Sequence, residues 1–310
     1  SAKITIYNRR INKAEFEQSI LIPMKEDGLD EYRKEYNEML LSKISDTNNS
    51  ILRERYLTIS VHKKNIDEAR TYFACVGTDI TTHLAKLSSI GEELDAGERL
   101  KIFRDFFKED VSATAEFDFK EAVKRGHDFK DWFAPDSMEF LQDHFKIDGR
   151  YGRVLYMQDY ATYVRDSMVS ELCDLSRNLM LSIDILPVPT DEAVIEIQNK
   201  LLGVETNVTN WQRRQNENNN FSATIPYEME LQRTETKEML NDLTTRDQRM
   251  MFGVLTIVHM ADSYKELNSD TETLKSIARK NLCQLSTLRW QQMDGLHTAL
   301  PFGPRKINAL

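Results

Sequence analysis

The chain has 310 residues, 40% of them hydrophobic and 29% charged, and a formal charge of -9 at pH 7 from 41 basic against 50 acidic side chains. A mean hydropathy of -0.53, and no run near the roughly 18 apolar residues that a membrane-spanning helix needs, predict a chain that does not cross a bilayer. The acidity also argues against nucleic-acid binding: residues 1–150 carry 24 basic and 29 acidic groups and residues 151–310 carry 17 and 21, whereas counterion release calls for a cationic face.

Ile4–Tyr7 and Ser19–Met24 are short apolar pieces that read as strands, the second closed by Pro23 and the turn Glu26-Asp27-Gly28. Leu29, Tyr32, Tyr36, Met39, Leu40 and Ile44 then recur at steps of three and four, which predicts an amphipathic helix ending in the Asp46–Ser50 loop. Arg55–His62 alternates as a strand. Asn65 is placed to cap a helix reaching about Leu87, with Ile66, Ala69, Tyr72, Phe73 and Val76 on its apolar face. A further helix over Ala96–Phe107 turns Leu100, Phe103 and Phe107 inward.

Residues 110–148 mix acid, base and aromatic residues (Phe117, Phe119, Phe129, Trp132, Phe133, Phe140, Phe145) without a sustained period. We read them as a bridge, packed by its aromatics, that ends at Gly149 and Gly152. The predicted division is an α+β subdomain over 1–109, the bridge over 110–150, and a second α+β subdomain over 151–310.

The order becomes regular in that second subdomain. Arg153–Tyr163 reads as a strand, Ser167–Leu175 as a helix, and Leu179–Val188 as a buried strand stopped by Pro187 and Pro189, neither of which can donate to a ladder. Thr190 is the expected N-cap of the next helix, with Asp191 and Glu192 in its first turn and Gly203 as its end or a weak point. Helical character continues past Trp211 to the polar run Gln212–Asn220, and a returning helix covers Tyr227 to about Leu243. Arg249–Met260 is the most apolar strand, in which Leu255 and Ile257, two apart, share a buried face. Ser269, Asp270 or Thr271 caps a helix to Asn281, Gln284–Trp290 is a last strand, and Gln291–Leu300 a last short helix. The pattern β-α-β-(helices)-β-α-β predicts a helix-rich α+β fold whose second half is ferredoxin-like (split βαβ), with a long helical-hairpin insertion over 190–246.

Chemistry is harder to find. No glycine is followed by lysine, no G-x-G-x-x-G or G-x-S-x-G occurs, and the turn after Leu179–Val188 holds Pro, Val, Pro and Thr in place of a phosphate loop or nucleophile. His62, His83, His127, His144, His259 and His297 form no H-E-x-x-H and have no cysteine at ligand spacing. His259 on an apolar strand reads as a core or interface histidine. Cys75, Cys173 and Cys283, far apart in apolar-periodic segments, read as buried free thiols of a reducing compartment, and no secretory leader is expected from the first residues. No catalytic, cofactor or metal residue is expected. The hairpin tip is different, because Trp211, Arg213 and Arg214 stand beside an Asn-rich turn and are residue types enriched at interface hot spots. These three are the candidate partner-binding residues.

The runs DSMVSELCDLSRNLMLSIDILPVPTDEAV (166–194), NKLLGVETNVTNWQRRQNENNNFSATIPYEMELQRTETKEMLNDLTTRDQRMMFGVLTIVH (199–259) and QMDGLHTALPFGPRKI (292–307) resemble the VirB/TrbE/CagE-type ATPases of conjugation and type IV secretion, in the branch of Gram-positive conjugative transposons. RYLTISVHKKNIDEARTYF and FAPDSMEF carry a weaker likeness, and together the resemblance covers most of residues 55–307. It implies an N-terminal domain that precedes a RecA-like motor, with ATP and Mg expected only for that motor. The implied function is non-catalytic docking and assembly: partners would be membrane subunits of a conjugation channel and other copies of the ATPase, at the cytoplasmic face of the membrane. The competing expectation is a standalone single-stranded nucleic-acid-binding module of ferredoxin-like fold, against which the charge weighs.

Overall fold

In the computed structural model, residues 1–10, 21–45, 51–108, 118–218, 220, 224–303 and 305–307 are described. The chain is α+β, with ten helices among these residues and eight strands in one sheet. The strands are β1 (Ala2–Arg10), β2 (Ile51–Ile59), β3 (Met138–Phe140), β4 (Phe145–Ile147), β5 (Arg150–Asp159), β6 (Leu179–Pro187), β7 (Met251–Ala261) and β8 (Gln284–Thr287). Their order is β2-β1-β6-β7-β5-β4-β3, and β8 pairs with β5. The β1·β2, β3·β4, β4·β5, β5·β7 and β5·β8 ladders are all antiparallel. β4 takes Arg150–Gly152 and β8 takes Leu155–Asp159, so the two lie end to end along the edge of β5 away from β7.

Two clusters fill the core, one on each sheet face. On one face Phe103, Phe106 and Phe107 of helix α3 (Ala96–Phe107) and Leu296 and Ala299 of helix α10 (Gln292–Ala299) pack with Tyr7, Phe145, Ile147, Val154, Met180, Val258 and Met260. On the other, Met168, Leu172 and Cys173 of α6 (Ser167–Cys173) and Leu274 and Ala278 of α9 (Tyr264–Lys280) pack with Leu155, Leu179, Leu181, Leu255 and Ile257. The strong period-two division of β7 places Leu255 and Ile257 together, as their spacing predicts, and Val258 and Met260 opposite. α3 begins where the sequence places it: Asp95 accepts from Glu98 N and Glu98 reaches back to the Asp95 N–H, a capping box.

Several boundaries differ from the sequence reading, each because a tertiary partner decides it. Leu21–Met24 is irregular, and residues 19 and 20 and the 46–50 loop lie outside the described residues. β2 starts four residues before the expected Arg55, since it is in register with all of β1, from Ala2↔Ile59 to Arg10↔Ile51. Residues 110–150 are no bridge where they are described: they contain α4 (Phe119–Arg125), α5 (Phe129–Phe133) and β3–β4, and Phe145 and Ile147 are wholly buried core residues. The N-cap before residue 191 is Pro189 and not Thr190, which opens the helix. The N-cap of α9 is Ser263, which accepts from Glu266 N, so Asp270 and Thr271 are buried mid-helix residues. β8 stops at Thr287, short of Trp290. α1 (Asp30–Ser45) and α2 (Ile66–Lys86) form as expected, the latter capped by Asn65 accepting from Glu68 N, yet no residue of α2 is buried.

By compactness the chain falls into two units that part at neither 109 nor 150. One is Ile185–Gly253 with Ser1, and the other is Ala2–Asp184 with Val254–Leu310. Strands from all three sequence-predicted segments share the sheet.

Candidate functional site

The smaller unit is a pair of helices, α7 (Thr190–Glu217) and α8 (Tyr227–Thr245). The sheltered positions of α7 include Thr190, Val194, Ile197, Leu201, Val204, Val208, Trp211 and Gln215, alternating steps of four and three, with Ala193 and Glu205 beside them, and those of α8 include Met229, Arg233, Thr236, Leu240 and Leu243 in the same rhythm. This heptad period makes the seam of an antiparallel helical pair. Gly203 lies off the seam, where a Cβ would meet nothing within 4 Å, so α7 runs through it without a break. Across the seam Glu205 Oε1 receives Arg233 Nε at 2.9 Å and Lys237 Nζ at 3.0 Å, and these cations hold its carboxyl below the usual carboxylate range, Arg233 first.

The structure separates the three candidate residues. Trp211 is half-buried at the distal end of the seam. Were Trp211 packed against Phe221 and Tyr227 to hold the hairpin closed, Tyr227 would be sheltered; it is 79% exposed, and Phe221 lies outside the described residues. Arg213 and Arg214 are exposed, and Arg213 Nε reaches Glu217 Oε1 of its own helix at 3.2 Å. Among the described residues Arg214 has no ion pair. Trp211 thus lies on the sheltered side of α7, and the two arginines on its exposed side. Beside them Thr209, Gln212, Arg213, Asn216 and Glu217 border an open concavity of about 500 Å³. One helix face supplies all of these, so the arrangement suits contact with a partner surface and not enclosure of a small molecule.

The larger unit holds two buried polar clusters that sequence reasoning missed. On β1 the Lys3 ammonium donates to the carbonyls of Thr298 (2.6 Å), Leu300 (3.2 Å) and Phe302 (3.1 Å), with Asp184 Oδ1 at 3.5 Å. Ser182 Oγ donates to Ala299 O and lies 2.9 Å from Thr5 Oγ1. The logic is that of a buried helix C-terminus: α10 ends against the sheet with unpaired carbonyls and the negative end of its dipole, and Lys3 and Ser182 supply the donors. Burial lowers the Lys3 pKa and raises that of Asp184, and each opposes the other's shift.

The second cluster surrounds Arg153 on β5, which is 4% exposed. Its guanidinium donates to Asp143 O and Oδ2 (both 3.0 Å) and to Asn268 Oδ1 and Thr271 Oγ1 (both 2.9 Å). Thr271 Oγ1 donates to Leu267 O at 2.7 Å, so it accepts from His259 Nε2–H at 3.1 Å. This assigns the Nε2–H tautomer and leaves His259 Nδ1 buried with no partner. Burial first, and then Arg153, hold the His259 pKa down at about 3. The ring is a neutral core histidine, as its apolar strand predicts. Lys3 and Asp184 in the first cluster, and Arg153 and Asp143 in the second, are engaged by other parts of the fold. The cysteines are free thiols; Cys173 and Cys283 are buried as expected, but Cys75 is exposed, because it lies on a helix with no buried residue.

Base-stacking sheets need an open strand face with aromatic residues. Here the central strands are covered on both sides: Val154 and Val258 are fully buried on one face and Leu155 and Ile257 on the other. No described helix is long and apolar enough to cross a membrane.

Fold and surface together define an α+β protein that carries a seam-closed helical hairpin with exposed arginines near its tip. Set against known protein families and curated proteins, the chain matches no family model and no curated sequence.

Proposed function

We propose that this chain is a non-catalytic docking and assembly domain of a conjugative DNA-transfer ATPase of the VirB/TrbE/CagE type, linking a RecA-like motor to membrane channel subunits and neighbouring copies. The observation that carries the reading is the hairpin itself. Its seam is closed by its own heptads, and Arg213 and Arg214 remain at the surface, where paired arginines suit a polar or acidic protein partner. We read β5–β8 as a ferredoxin-like unit whose return between β6 and β7 is enlarged into the hairpin; the order β6-β7-β5-β8 with antiparallel pairing supports that reading. Single-stranded nucleic-acid binding is the weaker alternative, because the strand face it would use is covered. ATP and Mg belong to the motor in this proposal, and this domain contributes no group to either.

The test replaces Gln212–Asn220 by a short Gly-Ser loop in the full-length ATPase. Loop shortening costs little entropy, so the protein should accumulate normally while conjugative transfer falls by at least about a hundredfold. Transfer at the parental frequency refutes a docking role for the tip.

A further inference from the structure

α2 is 21 residues long, and its apolar residues Ile66, Ala69, Phe73, Val76, Ile80, Leu84 and Leu87 (at its C-cap) follow helical spacing, yet no residue of the helix is buried. Ile66 is 70% exposed, Phe73 41% and Leu87 75%. Residues 88–94 run back along one flank, where Gly91 lies against Leu84 and Glu93 against Gly77; Ala69, Val76, Ile80 and Leu84 are partly sheltered, and Ile66, Phe73 and Leu87 stay exposed. A stripe of this length left in water forfeits the burial that normally stabilises an amphipathic helix.

The charges indicate what covers it. The first turn is acidic, with Asp67 and Glu68, and the last is basic, with His83 and Lys86. An anionic lipid surface is a poor match, because Asp67, Glu68 and Asp79 offset Lys63, Lys64, Arg70 and Lys86. A second copy laid antiparallel is a good one. With the two-fold axis near Val76 and Gly77, Ile66 meets Leu87 of the other copy, Phe73 meets Ile80, and the acidic first turn meets the basic last turn twice. Antiparallel helix dipoles add to the match, and a self-complementary patch is what a two-fold interface requires.

We propose that α2 is a homodimerisation helix, pairing antiparallel with α2 of a second copy of this chain. The inference does not involve the hairpin tip; it deepens the contact with neighbouring copies in the proposed function, and a monomeric chain would overturn it while leaving the tip's role to be decided by the loop replacement. Sedimentation velocity on the whole chain should show a concentration-dependent dimer. Phe73→Asp should raise its dissociation constant at least about tenfold with an unchanged far-UV spectrum, and His83→Glu with Lys86→Glu, at exposed positions, should weaken it independently. Orientation is read by cross-linking in a Cys75→Ser background: Ile66→Cys protein should cross-link to Leu87→Cys protein and not to itself. A monomer at about 100 μM, a dimer indifferent to both surface variants, or cross-linking of Ile66→Cys copies to each other overturns the proposal.

Discussion

Replacing Lys3 by methionine tests the account of how the sheet receives the end of α10. The substitution keeps the length of the side chain and removes the ammonium, taking their donor from the Thr298 and Phe302 carbonyls and the counter-charge from Asp184, while the Leu300 carbonyl still accepts from Phe302 N–H at 2.7 Å. Each orphaned buried group costs about 1–3 kcal/mol, and breaking a buried ion pair from one side costs about 3–5 kcal/mol. These overlap, so the expected loss is about 4 kcal/mol. Removing Asp184 as well, in Lys3→Met with Asp184→Leu, should recover part of that loss, because the uncompensated carboxylate goes while the Thr298 and Phe302 carbonyls stay without the ammonium. The pH dependence gives a second signature. Burial already raises the Asp184 pKa above 3.8, and without Lys3 it rises further. A carboxyl whose folded pKa is raised is protonated in the folded state first, so the penalty is small in acid and grows as pH rises through the folded value. Urea midpoints by far-UV circular dichroism should therefore show a large deficit for Lys3→Met at pH 7 that narrows at pH 4–5. Equal midpoints at pH 7, or a deficit that widens in acid, would refute the reasoning.

His259 should make the chain acid-sensitive. Its folded pKa of about 3 lies below an unfolded value near 6.5, so its contribution is complete above about pH 6.5 and drains away as pH falls toward 3. His259→Gln, which keeps a donor for Thr271, should flatten the urea-midpoint profile between pH 6.5 and 4; a profile parallel to the parent's contradicts the assignment. Ile257→Ala, at a wholly buried site, should cost about 2–5 kcal/mol, and an unchanged urea midpoint would mean that β7 is misplaced. Gly203→Ala has open space for its methyl group and should stabilise α7 by about 0.5–1 kcal/mol; a drop in thermal midpoint would mean that the glycine is there for a close contact.

What the sequence makes legible follows from the range of the forces involved. α3 is readable because Asp95 and Glu98 are three residues apart, and α7 and α8 because their seams repeat within each helix. β7 is readable because both its faces are apolar. β3 and β4 are three residues each and have no period; they exist because β5 offers an edge at Arg150–Gly152, which nothing in residues 110–150 announces. α9 starts earlier than expected because Ser263, three residues before Glu266, already caps it, so that Ser269, Asp270 and Thr271 fall inside a helix under way. The polar clusters were invisible for the same reason: Lys3 and Asp184 look like ordinary surface charges until the sheet order makes them neighbours. At the hairpin tip the residue types were legible, but the division of Trp211 from Arg213 and Arg214 needed the helical phase that the seam sets.

The position of β1 has a consequence for synthesis. It lies inside the sheet between β2 and β6, and its lysine waits for a carbonyl 297 residues further along the chain. At about 5–20 residues per second a ribosome takes roughly 15–60 s to make that stretch. β2 follows within 59 residues and can pair one edge of β1, but until β6 is made the other edge stays open on a strand bearing apolar residues such as Ile4, Ile6 and Tyr7, a ready template for aggregation. The inward-pointing Lys3 and Thr5 make it a poor one, since a wrong partner that buried this face would have to bury a bare ammonium. The same charge that receives the last helix in the finished fold keeps the nascent strand from an early mispairing.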